Sequence, residues 1–444
     1  MMKPEFDPDH PECADGLWRL LTRLFPLRRS LTGPGVRQTL DVLQEYLPNL
    51  QRHRVTSGTS AFDWQVPDEW TLDTAWLDGP GGERILDTDQ HILHVLGYSE
   101  PVDRHLDLTE LQAHLHSLPE QPEAIPYVTS YYHRRWGFCL SHAQRQQLPA
   151  GNYHAVIRSR LAPGHMDYGE LYIPGASQQE ILLSTYICHP GMANNEASGP
   201  SVATWLASWL QAQPQLRYSY RILFLPETIG AIVYISEHLQ RLRERVIAGH
   251  MVTCVGDERC YSFLPSKRGD TLADRMARHM LDHLVGDYIT YSFLQRGSDE
   301  RQFCSVGVDL PVCSVMRSKY EAYPEYHTHL DDLSLVSPAG LAGSYRVLRA
   351  CLEGYEHNRH HRMRQPCEPQ LGRHGLYPTI SHRGCDNQVS SMMDLIAYAD
   401  GERDLLDLAE TIGVPMPELY ELTQKLCDAG LMETCEPGDP EAGT

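Results

Sequence analysis

The sequence predicts an α/β protein: a mainly parallel sheet flanked by helices, interrupted by a small β-rich module and followed by a C-terminal winged helix. Three observations carry that class. From about residue 170 to 355, short runs rich in Leu, Ile, Val and Tyr alternate with amphipathic stretches, the pattern of strands and helices that builds a sheet covered on both faces. From about 55 to 165 the chain instead carries Trp64, Trp70, Trp76 and Trp136, many prolines and short alternating runs such as HILHVLGYS and YHAVIRS, the composition of a β-rich module. From about 388 to 436 three short helical patterns precede the strand-like LMETCEP.

Taken in order, residues 14–50 (LWRLLTRLF, then SLTGPGVRQTLDVLQEYL) repeat apolar positions at three- and four-residue spacing and predict helices that pack on the sheet. The β-rich module is therefore an insertion, with one helix in LDLTELQAHLHSL. Helices are expected at about 199–212, 230–244, 270–285 and 337–355. The polar stretch EHNRHHRMRQPCEPQLGRHG reads as a linker, and His357, His360 and His361 in it as a solvated helix end rather than metal ligands. SSMMDLIAYAD, DLLDLAETIG and MPELYELTQKLCDAG, broken at Gly401 and Gly413, give the helix order of a winged helix. The expected domains are 14–55 with 166–365, an inserted 56–165, and a winged-helix-like 385–438.

Composition excludes several classes. With 38 Lys+Arg against 58 Asp+Glu, the formal charge of −20 argues against a general affinity for nucleic acid or anionic membrane. The third C-terminal helix, with Glu418, Glu421, Lys425 and Asp428, lacks the basic face of a DNA reader and is expected to dock on this chain or another protein. No apolar run approaches the roughly 18 residues of a membrane span, and the acidic MMKPEFDPDHPE is unlike a secretory signal. Twelve Cys without a CxxC pair read as reduced core thiols of a cytoplasmic protein. A homo-oligomer is compatible with all of this.

Four hydrophobic runs carry residues able to bind a metal ion or move a proton. EILLSTYICHP reaches His189, YRILFLPETIG reaches Glu227, MVTCVGDE ends at Asp257 and Glu258, and the segment after LPVCSVMRSKY carries His327 and His329. In parallel sheets, ligands collect at the carboxyl ends of strands. After His189, the turn MANNEASGP sets Asn194, Asn195 and Glu196 ahead of a small-residue helix start. An imidazole beside such oxygen donors suits a borderline metal ion. Asp331 and Asp332 either orient His327 through an outer hydrogen bond or start the next helix.

These segments resemble the co-catalytic zinc aminopeptidase superfamily. The resemblance rests on Cys188-His189-Pro190, on Ala193-Asn194-Asn195-Glu196-Ala197-Ser198-Gly199, on Glu227-Thr228-Ile229-Gly230, on Asp257, on Ser298-Asp299-Glu300-Arg301-Gln302-Phe303 and on Tyr326-His327-Thr328-His329-Leu330-Asp331. More narrowly the chain, from about 14 to 436, is similar to aminopeptidase-like proteins associated with polysaccharide biosynthesis, which carry an inserted module and a C-terminal winged helix. Three positions depart from the superfamily pattern. Asn195 stands where a carboxylate bridges two zinc ions, Thr228 where a second Glu binds one of them, and Gly191 where an Asp follows the first His.

The resemblance, with those departures, implies one zinc held by His189, Glu196 and His327, with Asp257 in reserve, and Glu227 as general base. The implied reaction is hydrolysis of an amide or peptide bond in a small aminoacyl or amino-sugar conjugate by metal-activated water. Tyr320 or Tyr323 would assist the oxyanion, Asp299 or Glu300 would pair with a substrate ammonium, and Arg301 or Arg317 with a carboxylate. Ser130–Cys139 (SYYHRRWGFC) either covers the cleft or belongs to the core of the β-rich module. The competing expectation, drawn from Asn195 and Thr228, is a catalytically silent binding or scaffolding protein.

Overall fold

The computed structural model describes residues 5–376 and 387–436, which form two compact units. One comprises residues up to Asp274 together with Tyr288–Arg346; the other comprises Arg275–Asp287 and the chain from Val347 onward.

The first unit is organised by an eight-stranded sheet in the order 51–56, 165–173, 219–225, 180–186, 246–251, 312–316, 262–264, 289–290. Its centre is parallel: Glu180–Tyr186 pairs in parallel with Ser219–Leu225 on one side and with Val246–Met251 on the other, and the latter pairs in parallel with Val312–Met316. Every residue of Glu180–Tyr186 and Ser219–Leu225 is buried, which is why these strands read as continuous apolar runs rather than alternating ones. Their exceptions are charged and paired. Arg221 donates to both oxygens of Glu180 at 2.6 and 2.8 Å and also meets Glu170.

The helices Ser198–Ala212 and Ile229–Arg245 follow the His189 and Glu227 strands, as expected. The helices Pro11–Leu24 and Pro34–Tyr46 account for the N-terminal periodicity. The inserted module leaves from Gln51–Thr56 and returns through His165–Ile173. These strands pair antiparallel with Thr56 opposite His165, so the module's two ends stand side by side. Its core is a four-stranded antiparallel sheet in the order 84–87, 69–78, 152–162, 102–107.

Two expectations need correcting. The strand of the third run is Val246–Met251, so Asp257 lies six residues past its end, beyond an irregular stretch in which Cys254 takes φ +52°. The apolar VTCV is buried without being a strand. In LDLTELQAHLHSL only Leu108–Leu111 is α-helical, followed by a 3₁₀ turn and a short strand at Leu115–His116.

In the second unit, Asn387–Tyr398, Leu405–Ile412 and Met416–Asp428 are helices, and Met432–Cys435 is the expected terminal strand. Asp404 caps the second of these through the amide of Asp407, and Gly413 closes it at φ +79°. The stretch read as a linker is not one. His360–Met363 is the central strand between Asp400–Asp404 and Met432–Cys435, both antiparallel to it. His361 is consequently buried, not solvated, and its pKa is lowered to about 4 by that burial. The unit therefore starts earlier than residue 385; positions 385–386 and 437–438 of the expected range lie outside the described residues.

Among the described residues, no helix is long and apolar enough to cross a membrane. All described cysteines are free thiols, and Cys188, Cys254 and Cys313 are buried in the large sheet and its extensions.

Candidate active site

The polypeptide changes direction sharply after both central strands, and the two changes meet. After Glu180–Tyr186 the chain runs to His189. It then makes a π-helical turn over Ala193–Ala197 before the helix Ser198–Ala212. Such a turn widens the backbone, and here its amides are collected by one carboxylate. Asp331 accepts from the N–H groups of Ala193, Asn194 and Asn195 at 3.1, 2.6 and 2.9 Å, and from the Tyr323 hydroxyl at 2.9 Å. Burial raises the Asp331 pKa to about 6 even against those four bonds.

After Ser219–Leu225 the chain closes a γ-turn: the Ile229 N–H donates to the Glu227 carbonyl at 2.8 Å, and Thr228 between them takes φ +64° and ψ −75°. That conformation is strained for a β-branched residue and costs roughly 1–3 kcal/mol. Three contacts hold it. The Thr228 N–H donates to Asp299 Oδ1 at 2.8 Å, Arg301 Nη2 donates to Thr228 Oγ1 at 2.6 Å, and the Glu227 N–H reaches Cys188 Sγ at 3.1 Å. The strained turn lifts the Glu227 carboxylate to 3.5 Å from His189 Nε2.

His189 thus stands between two carboxylates. Its Nδ1 lies 2.8 Å from Glu196 Oε2, and its Nε2 faces Glu227. The buried Arg29 backs this pair, donating through Nε to the His189 carbonyl at 2.9 Å and lying 3.5 Å from Glu196 Oε1. Burial opposes a charge on His189, but Cys188 and Glu196 outweigh it and raise its pKa well above the usual value. Burial raises the Glu227 pKa, with His189 and Arg301 opposing. His327, whose ring lies 5.2 Å from that of His189, is pushed the other way: burial, then His189, lower its pKa to about 3. It is a neutral imidazole. Tyr127 sets its ring edge-on at 5.3 Å to both histidines.

His189, Glu227, Thr228, Arg301 and His327 line one cleft of about 430 Å³, closed from the module side by Trp64, Tyr127, Tyr131 and Tyr132. The module also pins the His327 loop. The Tyr127 N–H donates to the His327 carbonyl, and the His329 N–H to the Ile125 carbonyl.

Other expected site residues are placed elsewhere. Glu196 Oε2 lies 2.8 Å from Nδ1 of His189. Asp257 is wholly buried and saturated: its oxygens accept from Asn194 Nδ2, the Ser318 amide and hydroxyl, and the Arg259 amide. Asn195 turns its carbonyl to the Tyr186 hydroxyl. Asp299 and Glu300 face inward, and Glu300 Oε1 accepts from the amides of Gly297 and Ser298 and from the Tyr320 hydroxyl. Tyr320 and Tyr323 spend their hydroxyls on Glu300 and Asp331, so neither points into the cleft. Arg317 stacks its guanidinium on Tyr261, 3.9 Å from the ring centre. Sequence reasoning missed Arg29 and Tyr127; a paired arginine in an otherwise apolar FPLRRSL is the one signal for the former.

A mainly parallel sheet with this strand-end cleft, an inserted module and a winged helix defines an aminopeptidase-like protein. The chain belongs to the family described as a domain of unknown function (DUF4910), which matches residues 18–358, and its C-terminal part matches a winged helix-turn-helix family over 359–434. A Clostridium acetobutylicum protein, provisionally named a polysaccharide biosynthesis protein with an aminopeptidase-like domain, is 40% identical over 406 residues, covering 91% of this chain and 92% of that one. A crystal structure from the same organism, provisionally called a peptidase, superposes with a TM-score of 0.90 at 37% identity, covering 96% of this chain and 97% of that chain. A zinc aminopeptidase from Bacillus subtilis shares the fold at a TM-score of 0.57 and 12% identity, over 79% of this chain and 95% of its own.

Of the residues expected to hold zinc, His189 and His327 come together in the cleft. The cleft wall offers His189 Nε2 and the neutral His327 imidazole beside Glu227. A carboxylate on the far nitrogen of a ligating His is the outer partner such imidazoles use, and Glu196 holds that place. The two positions that depart from the superfamily pattern are hydrogen-bonded within the chain: the side-chain oxygen of Asn195 accepts from the Tyr186 hydroxyl and Thr228 Oγ1 accepts from Arg301. Cys188, His189 and Glu196 form a compact buried donor group among the described residues, with Arg29 3.5 Å from Glu196.

Proposed function

We propose that the protein hydrolyses an amide bond in a small aminoacyl or amino-sugar conjugate, with Glu227 as the general base. The observation that carries this reading is the strained turn at Thr228, which presents Glu227 beside His189 in a cleft that also contains His327. Strain of this kind persists where the surrounding structure holds it in place, and it clusters at functional sites.

His189, through Nε2, and His327 would hold a single zinc, which when bound lowers the pKa of a water toward neutrality. Glu227 takes the proton of the water whose oxygen bonds to the amide carbon. It returns that proton to the nitrogen as the C–N bond breaks, so that acid and amine leave with no net change at Glu227. Glu196 fixes the His189 ring through Nδ1, and Arg29 balances the charge of Glu196. Arg301, held by Thr228 at the cleft wall, pairs with a substrate carboxylate or with the developing oxyanion. Trp64, Tyr131 and Tyr132 supply flat apolar surface for the remainder of the substrate.

The test is a panel of aminoacyl and N-acyl amino-sugar amides assayed with wild type and Glu227→Gln. We expect Glu227→Gln to lower kcat by about 10²–10⁴ with folding and zinc content unchanged. Full activity in that variant would remove the assigned base. A second reading, a silent binding protein, is favoured by the inward hydrogen bonds of Asn195 and Asp299; it predicts no turnover on any of the panel.

A further inference from the structure

Charge is unevenly placed in the cleft beside His189. Among its described lining residues Glu227 is the only carboxylate and Arg301 the only arginine or lysine. The two acids that precede Arg301, Asp299 and Glu300, are wholly buried and do not line the cleft. Asp299 Oδ1 accepts from the Thr228 amide, and Glu300 Oε1 from the Gly297 and Ser298 amides and the Tyr320 hydroxyl. Neither meets a substrate. The one described hydrogen bond of the Arg301 guanidinium runs from Nη2 to Thr228 Oγ1, which leaves Nη1 unpaired and open to the cleft.

A substrate with a free amino group next to its scissile amide would bring an ammonium ion into a cleft whose one carboxylate is the proposed base. No second carboxylate is there to replace the water it sheds, and Arg301 repels it. A charge taken out of water without a partner is costly, and like charges in a site reject a ligand. A carboxylate meets the opposite case. Arg301 offers it a free N–H group, and arginine–carboxylate pairs are among the stronger hydrogen bonds. Arg301 also grips the residue next to Glu227, near where a carboxylate two bonds from the protonated nitrogen would lie. The remaining wall includes Leu31, Trp64, Tyr131, Tyr132 and Ile229, which are uncharged and largely apolar.

We infer that the substrate is an N-acylated amino acid or amino-sugar acid, with its carboxylate on Arg301 and an aromatic or aliphatic acyl group against Trp64, Tyr131 and Tyr132. Compounds with a free α-amino group at the scissile amide are selected against. This specificity rests on the cleft being the place of amide hydrolysis. The water oxygen bonds to the acyl carbon, the C–N bond breaks, and the proton held by Glu227 passes to the nitrogen. The products are a free carboxylic acid and an amino acid or amino-sugar acid. The selection is opposite in sign to the ammonium pairing expected of Asp299 and Glu300, because both side chains are spent inside the fold.

Three compounds on one skeleton test this with zinc-supplied full-length protein. They are N-hydrocinnamoyl-L-phenylalanine, an anion; its carboxamide, which is neutral; and L-phenylalanyl-L-phenylalaninamide, a cation. kcat/KM is measured for all three, and Kd by calorimetry wherever there is no turnover. We expect the anion to lead both others by about tenfold or more. In Arg301→Gln, which keeps a donor for Thr228, the lead over the carboxamide should fall to about twofold or less, while Arg301→Lys keeps part of it. A lead that survives Arg301→Gln overturns the assignment. So does a cation that equals or exceeds the anion, or a set of which none binds or reacts. Binding of the anion through Arg301 with no hydrolysis of any of the three would support the ligand class and remove the hydrolysis.

Discussion

Which nitrogen of His189 a carboxylate touches decides what that carboxylate does. Glu196 is on Nδ1 and Glu227 faces Nε2; adjacency in the chain singled out Glu196 as a donor without saying to which nitrogen. The consequence is testable. Glu196→Gln keeps an acceptor oxygen for Nδ1, so we expect it to retain zinc, whereas a direct ligand would take the metal with it. Glu196→Ala leaves Arg29 buried without its counter-charge, and we expect a loss of stability of about 3–5 kcal/mol by urea unfolding. An unchanged unfolding midpoint in Glu196→Ala would mean that Arg29 draws no stability from the pair. His189, Glu227 and His327 were each legible from their positions in or after apolar runs. Arg29 and Tyr127 were not, because both reach the site from sequence-distant segments with no motif of their own.

At the scale of elements, the site is two altered turns held by buried acids. Asp331 gathers three amides of the π-helical turn, and Asp299 together with Arg301 grips the γ-turn. Asp331→Ala strands the N–H groups of Asn194 and Asn195 at about 1–3 kcal/mol each, while the Ala193 N–H keeps the Asp331 main-chain carbonyl at 2.8 Å. We expect a destabilisation of at least about 2 kcal/mol in urea, together with displacement of Glu196; a change below about 1 kcal/mol would show that water replaces the carboxylate. Strands and helices were largely readable because burial on both faces writes itself as apolar runs. The third run misled for a physical reason: VTCV is as apolar as a strand but packs as irregular chain, while the true strand Val246–Met251 contains Gly249 and His250, which weaken the strand signal. The central strand His360–Met363 was hidden by its charge, since a four-residue strand in a His- and Arg-rich stretch carries no alternation to read.

At the scale of the molecule, several histidines are held neutral inside the units, and this ties stability to pH. His250, wholly buried in the large sheet, has its pKa lowered to about 4 by burial. The unfolded chain takes up a proton near pH 6.5 and the folded one only near 4. The contribution of His250 is therefore complete above pH 6.5 and is lost as the pH falls toward 4, by about 3 kcal/mol. We expect His250→Asn to flatten the fall in urea midpoint between pH 6.5 and 4.5; an identical fall in the variant would place the acid sensitivity elsewhere.

The proposed hydrolysis rests on one zinc held by His189 and His327 with Glu227 beside it. Elemental analysis of untagged, zinc-supplied protein, run beside His189→Ala, His327→Ala and Glu227→Gln, tests it most directly. We expect about one zinc per chain, kept in Glu227→Gln and lost in both histidine variants. Two zinc ions per chain, or none after zinc is supplied, would contradict it.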